Sequence, residues 1–190
     1  MNKKVLSIVT LAILALVSVS AFAVNTTLAA GKYANNTIKV DVAEAGTRFS
    51  FDEAPIFAED GMPAYGNSFV TEGYLYPEGT LSESNGVLPS GEPEFPELVI
   101  GKWTCRGYFV GDGAHTTTGP WVVTTQVYEL DGEIIVTDGF ELSDIGVAGS
   151  RAITGGTGLF SRARGEMEQT LIGFNETMGV NLQVELNVRK

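Results

Sequence analysis

The end of the chain alternates strictly. Val180, Leu182, Val184, Leu186 and Val188 are interleaved with Asn181, Gln183, Glu185, Asn187 and Arg189. A two-residue period puts one apolar and one polar face on a single extended strand, and a helix, with its period of about 3.6, cannot use it. From residue 37 onward the period of two recurs and no helical period is sustained. Runs of this kind predict strands near Ile38 to Val42, Ser68 to Tyr76, Leu98 to Val110, Trp121 to Leu130, Glu133 to Leu142, Val147 to Thr154 and Ala163 to Gly173. With the last strand that makes eight. Turn signals at Asp112-Gly113, Gly119-Pro120, Asp131-Gly132 and Gly155-Gly156 separate the later ones, so successive strands should pair as hairpins. Eight antiparallel strands with no helix to cover a sheet face favour closure into an all-β, eight-stranded antiparallel barrel, which removes both edges. A two-sheet sandwich is the alternative.

Composition narrows the chemistry. Lys3 and Lys4 precede an apolar run from Val5 to Val19, and Ala21-Phe22-Ala23 offers small residues for a peptidase. Residues 1–23 therefore read as a cleaved signal peptide, 24–36 as a flexible lead-in and 37–190 as one barrel domain, secreted or placed in the periplasm or cell envelope with no membrane span after cleavage. The exported chain would keep 10 basic and 23 acidic residues, a net charge of −13. Such a surface repels phosphate backbones, so nucleic acid is not expected as a partner. Cys105 is the single cysteine and His115 the single histidine. An intramolecular disulfide is impossible and an ordinary zinc site lacks its ligands. Cys105, beside Trp103, reads as a buried small hydrophobe.

Two proline-bearing acidic segments, 52–67 and 77–97, interrupt the strand pattern. Prolines remove ladder donors, so these are loops over the surface or over a barrel mouth, either solvated or acting as a lid. Asn25, Asn35 and Asn175 begin glycosylation sequons, relevant only in a eukaryotic host.

Two blocks resemble a known family. Tyr108-Phe109-Val110-Gly111-Asp112-Gly113-Ala114-His115 followed by Gly119-Pro120-Trp121 resembles the Phe-Gly-Asp-Tyr-Gly-His and Gly-Pro-Tyr signature of plant allene oxide cyclases. Ala152-Ile153-Thr154-Gly155-Gly156-Thr157-Gly158-Leu159-Phe160, continuing to Ala163-Arg164-Gly165, resembles the glycine block of dirigent proteins. The resemblance is good over residues 98–190 and loose over 37–97. It implies a cofactor-free barrel whose apolar cavity holds a small hydrophobic organic molecule, acting as an isomerase, a cyclase or a stereochemical guide. It also implies, by analogy, a homo-oligomer such as a trimer. A lipocalin-like carrier without turnover and a structural envelope or matrix barrel with a filled interior are the other readings of such a chain.

Candidate polar groups follow from alternation. Asp138 shares a strand face with Ile134, Val136 and Phe140; held among apolar neighbours its pKa would rise, and exposure at a strand end is the other reading of the same position. Arg164 and Glu166 share a face on a strand with no cleanly apolar side, as a lumen that orients a polar ligand group would require, or as a solvent-facing row would show. His115 and Arg164 match the family signatures, and the cyclases' acidic residue near the first strand could be Glu44 or Glu53. Trp103, Tyr108, Trp121, Phe140 and Phe160 are the aromatic candidates for ligand contact, with Phe160 also suited to plug a barrel end.

Overall fold

The structure is a computed structural model, and it describes residues 37–189; the expected signal peptide and lead-in lie outside them. Nine strands form one sheet: β1 (Thr37–Glu44), β2 (Ser50–Phe51), β3 (Ser68–Pro77), β4 (Gly101–Phe109), β5 (Pro120–Leu130), β6 (Glu133–Leu142), β7 (Ala148–Gly156), β8 (Arg164–Phe174) and β9 (Val180–Arg189). From β3 to β9 each strand pairs antiparallel with the next, and β1 pairs with both β9 and β3, which closes an eight-stranded antiparallel barrel. All eight expected strands are present. β4 starts three residues later than its apolar run because Pro96–Leu98 forms a 3-10 turn.

The ninth strand is a continuation of the first. β1 ends at Glu44 opposite Gly73, a 3-10 turn spans Gly46–Arg48, and β2 resumes on the same edge of β3 at Val70 and Phe69. The detour needs a glycine at 46, because a Cβ there would come within 2.1 Å of the Thr177 carbonyl oxygen. Where β1 leaves β9, the Val180 N–H donates to the Glu44 carboxylate at 2.7 Å. A side chain thus completes the strand ladder at the barrel rim.

One end of the barrel is closed by packing. Trp103, Tyr128, Leu130, Ile135, Met167 and Leu186 are buried, and Phe160, in the turn after β7, is fully buried against Gly156. Residues 78–99 fold onto the outer face of β1 and β3 as a brace: Leu81 and Val87 join Ala43, Ala45 and Tyr76 in an apolar cluster. Within it the Tyr76 hydroxyl donates to the Gly86 carbonyl at 2.6 Å, and burial pushes its pKa up to about 12. Asn175, the sequon residue among those described, is buried and donates to the Glu44 carbonyl at 2.9 Å, so the folded chain does not present it for glycosylation.

Candidate functional site

The opposite end of the barrel is hollow. A cavity of about 440 Å³ opens where β1 breaks, within the range of ~300–1,000 Å³ usual for small-molecule sites. Its rim is a continuous run of ring contacts, Phe51–Phe49–Phe69–Phe109–Trp121–Phe174, with centroid separations of 5.2–6.4 Å. Two bulges build this rim. The β5–β6 register shifts between Pro120 and Val122, and the β8–β9 register between Leu171 and Gly173. An extra residue reverses the inside–outside parity beyond it, so Trp121 and Val122 both line the cavity and Phe174 turns toward it.

The floor is polar. Its two carboxylates, Glu44 from the last position of β1 and Glu141 near the end of β6, are both about 95% buried by solvent exposure. Glu44 accepts from the Thr71 hydroxyl at 2.5 Å and from the Val180 N–H. Desolvation raises its pKa, the two hydrogen bonds oppose the rise, and the charge of Glu141 adds to it. Glu141 meets different surroundings: every partner is a donor or a cation. Its Oε1 accepts from the Thr124 hydroxyl, from Gln126 Nε2 at 2.8 Å and from the Cys105 thiol at 3.5 Å, and its Oε2 accepts from Gln169 Nε2 at 3.0 Å. Tyr128 donates to Gln126 and holds that amide in place. Arg151 Nη1 lies 3.6 Å from Glu141 Oε1. Its guanidinium is anchored behind the floor by the carbonyls of Gly139, Phe140 and Thr124 at 3.0–3.2 Å. Burial pushes the Cys105 thiol well up, so the lone cysteine is a weak donor in this network with no nucleophilic character.

The sequence-derived candidates divide between the two faces of the wall. Trp103 and Trp121 line the cavity, and Glu44 lies on its floor. Glu53 is exposed in the loop after β2. Asp138, Arg164, Glu166, Tyr108 and Phe140 point outward, because the inward faces of their strands carry Thr137 and Glu141, Met167 and Gln169, and Cys105 and Phe109. The expectation for Asp138 is corrected in sign: the Thr125 and Thr154 hydroxyls at 2.5 and 2.7 Å lower its pKa despite partial burial. It sits with Tyr108 in an open outer groove of about 830 Å³ between β2 and β6. Arg164 bonds the carbonyls of Thr154 and Ala163 beside the glycine turn. Phe160 packs in the closed end. Glu141 and Arg151 were missed by the sequence reading.

His115 serves the loop beside the mouth. Its Nε2 lies 2.8 Å from Asp60 Oδ2, its ring stacks on Phe57 at 3.9 Å, and the neighbouring Ala114 N–H donates to the Pro63 carbonyl. Met62 and Pro63 of the same loop line the cavity. The hydrogen bond to Asp60 raises the His115 pKa, and Glu59 and Asp112 add to it. A raised histidine pKa contributes stability in full below the unfolded value of 6.5 and loses it as pH rises through the folded value. Hydrogen exchange should therefore show protection of residues 57–64 falling as pH rises above the unfolded value of 6.5 and through the raised folded one, once intrinsic rates are corrected. Asp60→Asn should flatten that dependence; protection independent of pH in the unaltered protein would contradict the latch.

No protein-family model and no curated protein matches the chain. Among solved structures it is similar to two pterocarpan synthase dirigent proteins. One has a TM-score of 0.55 at 15% identity, covering 78% of this chain and 90% of that one. The other has a TM-score of 0.53 at 15% identity, covering 78% and 80%. It is also similar to a pyocyanin demethylase, with a TM-score of 0.51 at 17% identity over 80% of this chain and 99% of that one. Identities this low speak to the fold alone. In fold, the chain is a closed eight-stranded antiparallel β-barrel like that of the dirigent proteins.

Proposed function

We propose that the protein holds a small, largely apolar organic molecule in the open end of its barrel and rearranges it by proton transfer, as a cofactor-free isomerase, cyclase or stereochemical guide. The observation that carries this is the pair of buried carboxylates, placed in unlike surroundings, under one aromatic rim. Desolvated Glu44 binds a proton more tightly than an exposed glutamate, so its carboxylate is suited to take a proton from the ligand and return it. Glu141, ringed by donors and a cation, is suited to accept charge that develops on the ligand. A positioned carboxylate made more basic by burial can serve as base and then, once protonated, as acid. The rim supplies what remains, a water-poor wall that restricts the ligand to few conformations. The signal-like residues 1–23 support action outside the cytosol.

A carrier of a neutral molecule would need the cavity and the rim but not two buried carboxylates, whose burial costs stability. A structural barrel with a filled interior would need no cavity at all. The test is incubation of the purified protein with a small-molecule extract, followed by mass spectrometry of bound and free fractions. We expect a bound species and a new isomer or cyclised product. Recovery of a bound but chemically unchanged molecule would overturn the catalytic reading in favour of a carrier.

A further inference from the structure

The chemistry of the lumen restricts the class of molecule it can take, an inference that rests on the ligand-binding reading above. The residues lining the cavity include two carboxylates and no lysine, arginine or histidine. Arg151 is the cation nearest the floor, but its side chain is 1% exposed and is spent on three carbonyls and on Glu141. The wall does hold two neutral donors without a hydrogen-bond partner, Trp103 Nε1–H and Trp121 Nε1–H. Two neutral indole donors carry no net charge and do not offset carboxylate repulsion of an anion in a poorly solvated site. Above the carboxylates stand the six stacked and edge-on rings of the rim, whose faces attract positive charge.

We infer that the lumen selects organic cations: its ligand carries an ammonium or another positively charged nitrogen on an apolar body. The body packs against Phe69, Phe109, Trp121 and Phe174 while the charge sits toward Glu44 and Glu141. An apolar carboxylate of the same shape would be excluded. It would bring a third acidic group into a pocket with no accessible cation, and each alternative, desolvating it unpaired or protonating it, costs free energy.

A cation entering the pocket favours the ionised form of Glu44, so binding releases a proton and strengthens as pH rises. The carboxyl groups that face the bound charge are Glu44 and Glu141, with Arg151 behind them. His115 and Asp60 lie at the loop outside the mouth and do not line the cavity.

The experiment is calorimetric titration of the purified protein at 0.15 M salt with three ligands that share one 1-naphthylmethyl body: 1-naphthylmethylammonium, 1-naphthalenemethanol and 1-naphthylacetate. At pH 8 we expect the cation to bind about tenfold more tightly than the alcohol, and the carboxylate at least about tenfold more weakly than the alcohol. The alcohol should compete with the cation, which separates the lumen from the acidic outer surface. Cation affinity should fall as pH drops toward 5, and Glu44→Gln should remove most of that pH dependence. Glu141→Gln provides a second variant, in which the preference for the cation over the alcohol at pH 8 should shrink. Binding of the alcohol with no preference for the cation, or with the carboxylate equal to it, overturns the inference and leaves the ligand site standing. Failure of all three to bind overturns both.

Discussion

Arg151→Met is expected to destabilise the folded chain by about 3–5 kcal/mol, among the largest effects of any single substitution in the barrel. Arg151 is 3% exposed. Methionine fills much of its volume, so the loss is electrostatic. Glu141 would remain buried without its cation, and the carbonyls of Gly139, Phe140 and Thr124 would lose their donor. Urea denaturation followed by circular dichroism checks this, with the midpoint falling and the m-value unchanged. Adding Glu141→Leu to that variant should recover part of the loss, because it removes the orphaned charge but not the orphaned carbonyls. A cost below about 1 kcal/mol for Arg151→Met would mean that the guanidinium does not hold the floor together.

Glu44→Gln should separate folding from chemistry. Glutamine keeps the shape, can accept the Val180 N–H and can donate to Thr71, but it cannot exchange a proton. On a turned-over substrate kcat should fall by about 10²–10⁴-fold, the range for loss of a positioned acid or base. Stability should move the other way. A carboxyl whose folded pKa is raised binds more protons folded than unfolded, so it costs stability as pH rises from about 4.5 through the folded value. The melting temperature of Glu44→Gln should therefore gain on the unaltered protein as pH is raised through that window. An unchanged kcat would remove Glu44 from the chemistry, and a melting difference independent of pH would contradict its desolvation.

The barrel was legible in the sequence because its strands alternate and their links are short. Val180 to Val188 display one apolar face, and that face is the inward one. Orientation was harder where the lumen is polar. In β6 the face bearing Ile134, Val136 and Phe140 is the more apolar, yet it points out, and Glu141 shares the inward face with Ile135 and Thr137. Burial of polar side chains in a hydrogen-bonded floor inverts the rule that apolar means inside. The one signal available was in β5, where Thr124, Gln126 and Tyr128 recur at period two between Val122 and Leu130. Such a row marks a polar interior, and it points across to Glu141. The rim was hidden for a different reason. Bulges near Trp121 and Ile172 shift parity, and no local residue pattern announces them, so Phe174 was not legible as a cavity residue.

The family-like motifs located structure better than chemistry. Gly156 approaches the Phe160 backbone so closely that a Cβ would lie 2.7 Å from the Phe160 carbonyl oxygen, which accounts for the glycine block. Asp112 and His115 sit in the hairpin that braces the mouth loop. Of the residues the resemblance suggested, Glu44 alone reaches the floor, and it does so because β1 ends at the position where β9 needs an acceptor.

The central claim is that the open end of the barrel is a small-molecule site, and tryptophan emission tests it most directly. The chain has two tryptophans, Trp103 and Trp121, and both line the cavity. Titration with the molecule that co-purifies with the protein, or with N-phenyl-1-naphthylamine as a neutral probe, should quench or shift their emission saturably at a one-to-one ratio. The change should disappear in Ala114→Phe, which puts an added ring into the cavity that Ala114 lines. Saturable binding by calorimetry with no change in tryptophan emission would place the ligand elsewhere and contradict the account.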